Sequence, residues 1–453
     1  MGMDRVRNLL ALLRGQLWPI PAVFSLAAVG LAYILLNFGN RLSPAVNGKL
    51  WWLYSGEAST ARDLLGSLLS GMMTMTSLVV SVTFVILTLA ANQLGPRLIS
   101  IFMADRQIQS VLGLFIGTIL YIILVLRTLD DTLGVEGVPH LAVTTASVLT
   151  ILCLLALLFY IHKIARSIIA DNVVEAVSQE LQETLRHILP ENHGDGEKGA
   201  ERSFRGGAWP VGIGQAGYLQ VVDYARLVSL ACEEDVQLAV KVRAGHYLLR
   251  EGEHVAVYAG TCPSEDLRKR IRSAFTVGTE RTPAQDPEHG VRQLVEIATR
   301  ALSPGINDPF TAKAVIDRLG AAFEEALARD SQPSALCDRN GTLRLLADRS
   351  DISGLLDAAF DPIRQAGAAH PAILIQIARV TADLSAAIRE PAQADALLDE
   401  VAKLAETTSL GRFAQRDRKD IADAIEQARG ALMRAAERVR QIDMEKDGAG
   451  VRP

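Results

Sequence analysis

Charge is what this chain has least of. Only 21% of its 453 residues are charged, against 49% apolar ones, and the mean hydropathy is +0.20. That composition argues against a disordered chain, which lacks the apolar residues to fold. It is also too charged for a chain lying wholly in a membrane, so a membrane bundle joined to a soluble part fits this length. There is no basic excess: 46 Lys and Arg stand against 51 Asp and Glu, for a net charge of -5. A dedicated nucleic-acid binder carries the opposite balance, so nucleic acid is not expected as a partner. Cysteine is sparse and dispersed. Cys153, Cys232, Cys262 and Cys337 form no CxxC pair and no metal-ligand spacing, and the eight histidines are scattered. A disulfide framework, a zinc site or another metal centre is therefore not expected. No Ser-His-Asp set, phosphate loop or HExxH motif occurs, so neither an enzyme nor a cofactor is expected.

What is present is concentrated in the first third. Four segments, approximately 17–37, 64–94, 108–126 and 141–161, reach the length of about 20 apolar residues that a spanning helix needs. The fold class expected is an α-helical membrane protein with four transmembrane helices in residues 1–166. Trp18 and Tyr33 suit the interfaces of the first span. Arg5, Arg7 and Arg14 precede it, as in a signal peptide, but three further spans follow and no small-residue cleavage site is evident, so it reads as a retained helix. Seven Lys and Arg flank the spans on one side (Arg5, Arg7, Arg14, Arg97, Arg106, Lys163, Arg166) and four on the other (Arg41, Lys49, Arg62, Arg127). The asymmetry predicts cytoplasmic N- and C-termini.

The second span is the informative one. Ser67, Ser70, Thr74, Ser77, Ser81, Thr88 and Asn92 recur at steps of three, four or seven, which places them on one helical face, and Phe84 and Val85 occupy the turn that breaks the series. Such a face could line a pore: hydroxyls solvate ions or water, and an apolar ring gates by dewetting. The expected pore-lining set is Ser70, Thr74, Ser77, Ser81, Phe84, Val85, Thr88 and Asn92. The plain alternative is helix packing, for which small and hydroxyl residues are the usual material in lipid. Thr76 and Thr83 lie off the stripe. No charge sits in the middle of any span, which argues against a proton relay. Gly113 and Gly117 form a GxxxG pair in the third span.

Beyond the spans, residues 167–190 read as a connecting helix with Ile168, Val174, Val177, Leu181 and Leu185 at helical spacing, ended by Pro190. Residues 191–210 are rich in Gly and charge and read as a linker. Residues 211–262 alternate apolar and polar side chains and predict a small β-barrel or barrel-sandwich in a cytosolic α+β region. VKVRAGHYLLREGEHVAVY looks like a biotinyl-carrier hairpin, but Lys241 is outside its tight turn, leaving a plain β scaffold. A helical bundle is expected over 263–440 and a disordered tail over 441–453. Three Asp-Pro steps, Asp286-Pro287, Asp308-Pro309 and Asp361-Pro362, have the form of helix starts, with Asp as cap and Pro as first residue. Asp286, Arg292, Ser303, Asn307 and Asp308 in QDPEHGVRQLVEIATRALSPGINDP make up the candidate cytosolic motif. It reads as a capped turn, or as a phosphate or cation site at a helix start.

The stretch RTPAQDPEHGVRQLVEIATRALSPGINDPFTA, together with LAANQLGPRLISIFMADRQIQSVLG and HPAILIQIARVTADL, resembles a bacterial family of predicted membrane proteins, domain of unknown function 2254. The resemblance covers nearly the whole chain. It implies a bacterial inner-membrane protein and no particular activity.

Two functions from different classes follow. The first is an oligomeric channel or pore in the lipid bilayer, a homo-oligomer passing ions or small solutes, with the second span lining the path and the cytosolic part as vestibule or regulator. The second is a non-transporting scaffold or sensor whose cytosolic domain binds a partner or ligand.

Overall fold

The computed structural model describes residues 16–42, 54, 56–93, 95, 103, 105–129, 138–167, 170–189, 204–329 and 333–449. They fall into two units, residues 13–169 and a C-terminal unit beginning at Ala170.

The first unit is built from α1 (Pro19–Leu42), α2 (Ala58–Gln93), α3 (Arg106–Leu126) and α4 (His140–Ser167). All four are long and apolar enough to cross a membrane. Asp105 starts α3 by accepting from the amides of Gln107 (2.8 Å) and Ile108 (3.3 Å), and its carboxylate also meets Lys163 at 3.1 Å. The helix α3 is the hub, packed against each of the other three. Of its apolar window 61% is buried, against 11% for α1. Gly113 and Gly117 let α1 lie against it: a Cβ at Gly113 would come 3.0 Å from the Phe24 ring, and one at Gly117 3.1 Å from the Phe24 carbonyl oxygen. The buried polar groups find partners inside the bundle. The Tyr121 hydroxyl donates to the Ala142 carbonyl at 3.0 Å, and Thr118 meets Cys153 at 3.3 Å.

The C-terminal unit opens with α5 (Ala170–Ile188), whose buried Val174, Val177, Leu181 and Leu185 pack it on α8 (Glu288–Ala301) and α9 (Pro309–Leu327). Whether α4 runs into α5 without a break falls at 168–169, outside the described residues, as do Pro190 and the linker to residue 203.

Where a small β-barrel or barrel-sandwich is expected, the described strands form two sheets and no closed barrel. One is five-stranded, in the order β1 (Gly207–Val211), β5 (Val255–Ala259), β3 (Gln237–Val240), β8 (Leu343–Ala347), β7 (Ala335–Cys337). The other is three-stranded, with β2 (Gly217–Val222) between β4 (Tyr247–Leu248) and β6 (Phe275–Gly278). Neither closes on itself among the described residues. Strands β6, β7 and β8 lie in the stretch expected to be wholly helical. The strand β8 completes the sheet by pairing parallel to β3, a partner more than 100 residues away that no local pattern announces. The helices α6 (Tyr224–Glu233) and α7 (Glu265–Arg272) also interrupt the β region. Lys241, just past β3, faces Glu253 at 3.8 Å.

The remaining helices are α10 (Ile352–Ala366), α11 (Pro371–Asp383), α12 (Pro391–Leu410) and α13 (Gln415–Ala449). The last takes in nine residues of the expected tail, 441–449, a stretch without proline; residues 450–453 lie outside the description.

Candidate functional site

Helix α2 divides into two faces. Ala61, Leu65, Met72, Val79, Ile86 and Ala90 are buried in the bundle. The stripe lies opposite. Ser67, Ser70, Thr74, Ser77, Ser81, Thr88 and Asn92 are all exposed, and so are Phe84 (63%) and Val85 (58%). The sequence spacing therefore gathers these residues on one face, and that face points out of the single-chain bundle. Thr74 and Thr88 donate to carbonyls of their own helix, Ser70 at 3.0 Å and Phe84 at 2.9 Å. Of the off-stripe threonines, Thr76 likewise donates to a carbonyl of its own helix, Met72 at 2.7 Å, and Thr83 does more. Buried Thr83 donates to the Val79 carbonyl at 2.7 Å and touches the Tyr160 hydroxyl, joining α2 to α4. The exposed face of α4 makes the contrast plain: Val148, Ile151, Leu152, Leu154, Leu155, Leu158, Phe159 and Ile161 carry no hydroxyl between them.

The candidate motif of the C-terminal unit separates into two places. Asp286 does not cap α8. It is 1% exposed and grips the Arg281 guanidinium with both oxygens, at 2.7 and 2.9 Å. Glu288, the first residue of α8, meets Arg243 at 2.8 Å, Arg292 at 3.0 Å and Arg281 at 3.5 Å. Burial alone would push the Glu288 carboxyl up, but the hydrogen bonds from Arg243 and Arg292 outweigh it and hold the group below its ordinary value. Arg243 also reaches Asp348 at 3.3 Å. Gly245 closes the network: its φ is +92°, and a Cβ there would lie 2.4 Å from both Arg281 Nη2 and Asp286 Oδ2. Only glycine suits that conformation and that space. The sequence reading missed Arg243, Arg281, Gly245 and Asp348. Arg243 lies 45 residues from Glu288 and 105 from Asp348, so no spacing rule joins them.

Ser303, Asn307 and Asp308 form the other place, the turn between α8 and α9. Asp308 caps α9, accepting from the amides of Phe310 (3.1 Å) and Thr311 (3.2 Å) and from the Thr311 hydroxyl, with Pro309 at the first helical position. Asn307 takes a left-handed φ of +50°, its amide donating to the Ser303 carbonyl at 2.9 Å, and the Ser303 hydroxyl donates to the Arg300 carbonyl. Asp361-Pro362 does not open a helix. It lies inside α10, whose cap is Asp351.

A third cluster combines Asp357, Asp399 and Glu400, whose oxygens approach one another within 4.8 Å. The Lys403 ammonium already sits among them, at 2.7 Å from Glu400 and 3.1 Å from Asp399, where a cation would stand. Burial pushes Glu400 up to about 7, partly offset by its bond from Lys403.

The chain belongs to the family of predicted membrane proteins designated DUF2254, whose family model matches residues 14–383. It is similar to uncharacterized proteins of Mycobacterium bovis and of Mycobacterium tuberculosis, each 27% identical over 449 residues that cover 96% of this chain and 83% of the relative. No solved structure matches the chain.

Proposed function

We propose that this protein is an oligomeric channel or pore of the bacterial inner membrane, in which α2 of each copy faces the path and the C-terminal unit serves on the cytoplasmic side as vestibule or regulator. The observation that carries this reading is the outward polar face of α2. Within hydrocarbon, a row of hydroxyl and amide groups is favoured where it meets another protein surface or water rather than lipid. Cyclic symmetry lets one such face per subunit enclose an axis. Phe84 and Val85, exposed within the same row, supply an apolar ring that closes a narrow path by dewetting. Uncharged hydroxyls suit ions or small solutes. The flanking Lys and Arg support cytoplasmic termini.

One observation favours a second reading, a scaffold held together by dry packing of α2 against α2. Gly66 and Gly71 on this helix have nothing within 4 Å of a Cβ position, which is the open space close helix approach uses. The experiment that separates the two is current recording from purified protein in planar bilayers, beside Ser81→Leu and Thr74→Leu. The pore reading expects discrete currents in the parent and reduced currents in both variants, with oligomer size by light scattering unchanged. A silent parent, or variants that conduct as the parent does, would sink it. Variants that fall to monomers would move the assignment to the scaffold.

A further inference from the structure

The carboxyl ends of β3 and β8, the one parallel pair among the described strands, meet at a cavity of about 230 Å³ within the C-terminal unit. In open sheets with parallel strands, the crevice beyond the carboxyl ends is where ligands bind, because the loops diverge there and backbone groups are left to serve. Arg243 and Ala244 follow β3 into this cavity, and Asp348, Arg349 and Ser350 follow β8. Leu185 and Ile188 of α5 and Leu355 of α10 form an apolar wall.

The charges around it do not balance. Asp286 and Glu288 are taken up by Arg281, Arg243 and Arg292, and Asp348 by Arg243. Arg349 stands outside that set. No carboxylate pairs with it among the described residues, and its Nε is buried without a hydrogen-bond partner. Its guanidinium carbon stands over the Tyr224 ring, 3.6 Å from the centroid, a cation–π contact that holds the side chain in place. Burial pushes the Arg349 guanidinium down from its ordinary value, with Tyr224 acting in the other direction. A half-buried cation on a cavity wall, with no carboxylate partner and a buried Nε that makes no hydrogen bond, is arranged for an anion. The planar fork selects an oxyanion over a spherical one, because two parallel N–H groups match two oxygens. At about 30 Å³ per water, the volume holds roughly seven or eight waters, which suits a phosphate group with a small organic remainder.

We propose that this cavity binds a phosphate-class oxyanion, with Arg349 on Tyr224 as its principal ligand. The phosphate could belong to a soluble phosphomonoester or to a lipid headgroup. Calorimetric titration of the full chain in detergent with inorganic phosphate, against a chloride control, tests the shared chemistry. Saturable binding is expected in the parent and at least tenfold weaker binding in Arg349→Gln. Since that substitution removes a half-buried charge that no carboxylate pairs, the variant is expected to melt no lower than the parent without phosphate. Should it misfold, Tyr224→Leu takes its place: it keeps the guanidinium but removes the ring that orients it, and weaker binding is again expected. The source is read in nanodiscs. A bilayer containing phosphatidic acid raises the melting temperature of the parent but not of the variant if the headgroup is the ligand. It changes nothing relative to phosphatidylcholine alone if the ligand is soluble. The proposal is overturned if the parent shows neither phosphate binding nor a phosphatidic-acid shift, or if the folded variant binds within twofold of the parent.

Discussion

Replacing Asp286 with Ala should damage the C-terminal unit more than any other single carboxylate change. Asp286 is 1% exposed and holds Arg281, itself 16% exposed, through two hydrogen bonds of 2.7 and 2.9 Å. Removing one member of a buried pair leaves the other charge uncompensated, which costs about 3–5 kcal/mol. Arg281 retains Glu288 at 3.5 Å, a longer contact that Glu288 shares with Arg243 and Arg292, so the lower end, about 3 kcal/mol, is expected. For a unit of 284 residues, from Ala170 to Pro453, 1 kcal/mol moves the midpoint by about 2 °C, the lower end of the range for 150–250 residues, so the loss should be about 6 °C. Scanning fluorimetry of the purified chain in detergent reads this. The companion is the double replacement Arg281→Met with Asp286→Leu, which removes both charges and fills the space with apolar groups. It should melt closer to the parent than Asp286→Ala does, because desolvating an ion pair costs about as much as the pair returns. A single variant within 2 °C of the parent, on the same per-residue scale, or a double variant below the single, would refute the account of the network as a buried, mutually compensated set.

Asp308→Ala removes a cap that serves three donors and should cost about 1–2 kcal/mol, read as a lower midpoint; an unchanged midpoint would count against the cap. The Thr311 hydroxyl, ahead of the amides, holds the Asp308 carboxyl below its ordinary value. Its share of stability is therefore present above the unfolded carboxylate pKa and lost as pH falls through the folded one. Glu400 has the opposite sign. Its folded pKa of about 7 lies above the unfolded value near 4.5, so the folded state holds the extra proton and stability falls as pH rises between those two values. Glu400→Gln should remove that component, and melting curves of variant and parent that stay parallel from pH 5 to pH 8 would exclude it.

What was legible in the sequence follows from the range of the interactions concerned. The four spans were legible because lipid imposes length and apolarity on each helix separately. The stripe on α2 was legible as a face because helical period alone sets it, but its direction was not: whether Ser70 and Ser81 point inward depends on α3 and α4, which decide what α2 buries. The Asp308 cap was legible because its partners lie two and three residues away. Asp286 presents the same Asp-Pro dipeptide, yet Arg281 draws its carboxylate away from the helix end, and Pro362 sits inside α10, capped eleven residues earlier by Asp351. A dipeptide cannot report such competition. The open sheets were missed for the same reason as Arg243 and Arg349: β8 and the loop after it come to β3 from more than 100 residues away.

The length of the polar row on α2 bears most directly on what it is for. The helix has 36 residues, about 54 Å, whereas α3 has 21, about 31 Å, close to the hydrocarbon thickness of about 30 Å. Even at a tilt of about 40°, α2 would project roughly 41 Å along the membrane normal, so it overhangs the hydrocarbon region. Arg62 and Asp63 near its start suit the overhang. From Ser67 to Asn92 the exposed row covers 25 helical steps, about 38 Å, and so can reach from one interface to the other. A packing seam needs small residues only where two backbones touch, and a crossing of two straight helices confines that contact to a few turns. A path needs polar atoms at every depth, since a permeant stripped of water at any level meets the full desolvation cost there. In the proposed channel the row on α2 would answer the second requirement, with one interruption at the exposed apolar side chains of Phe84 and Val85.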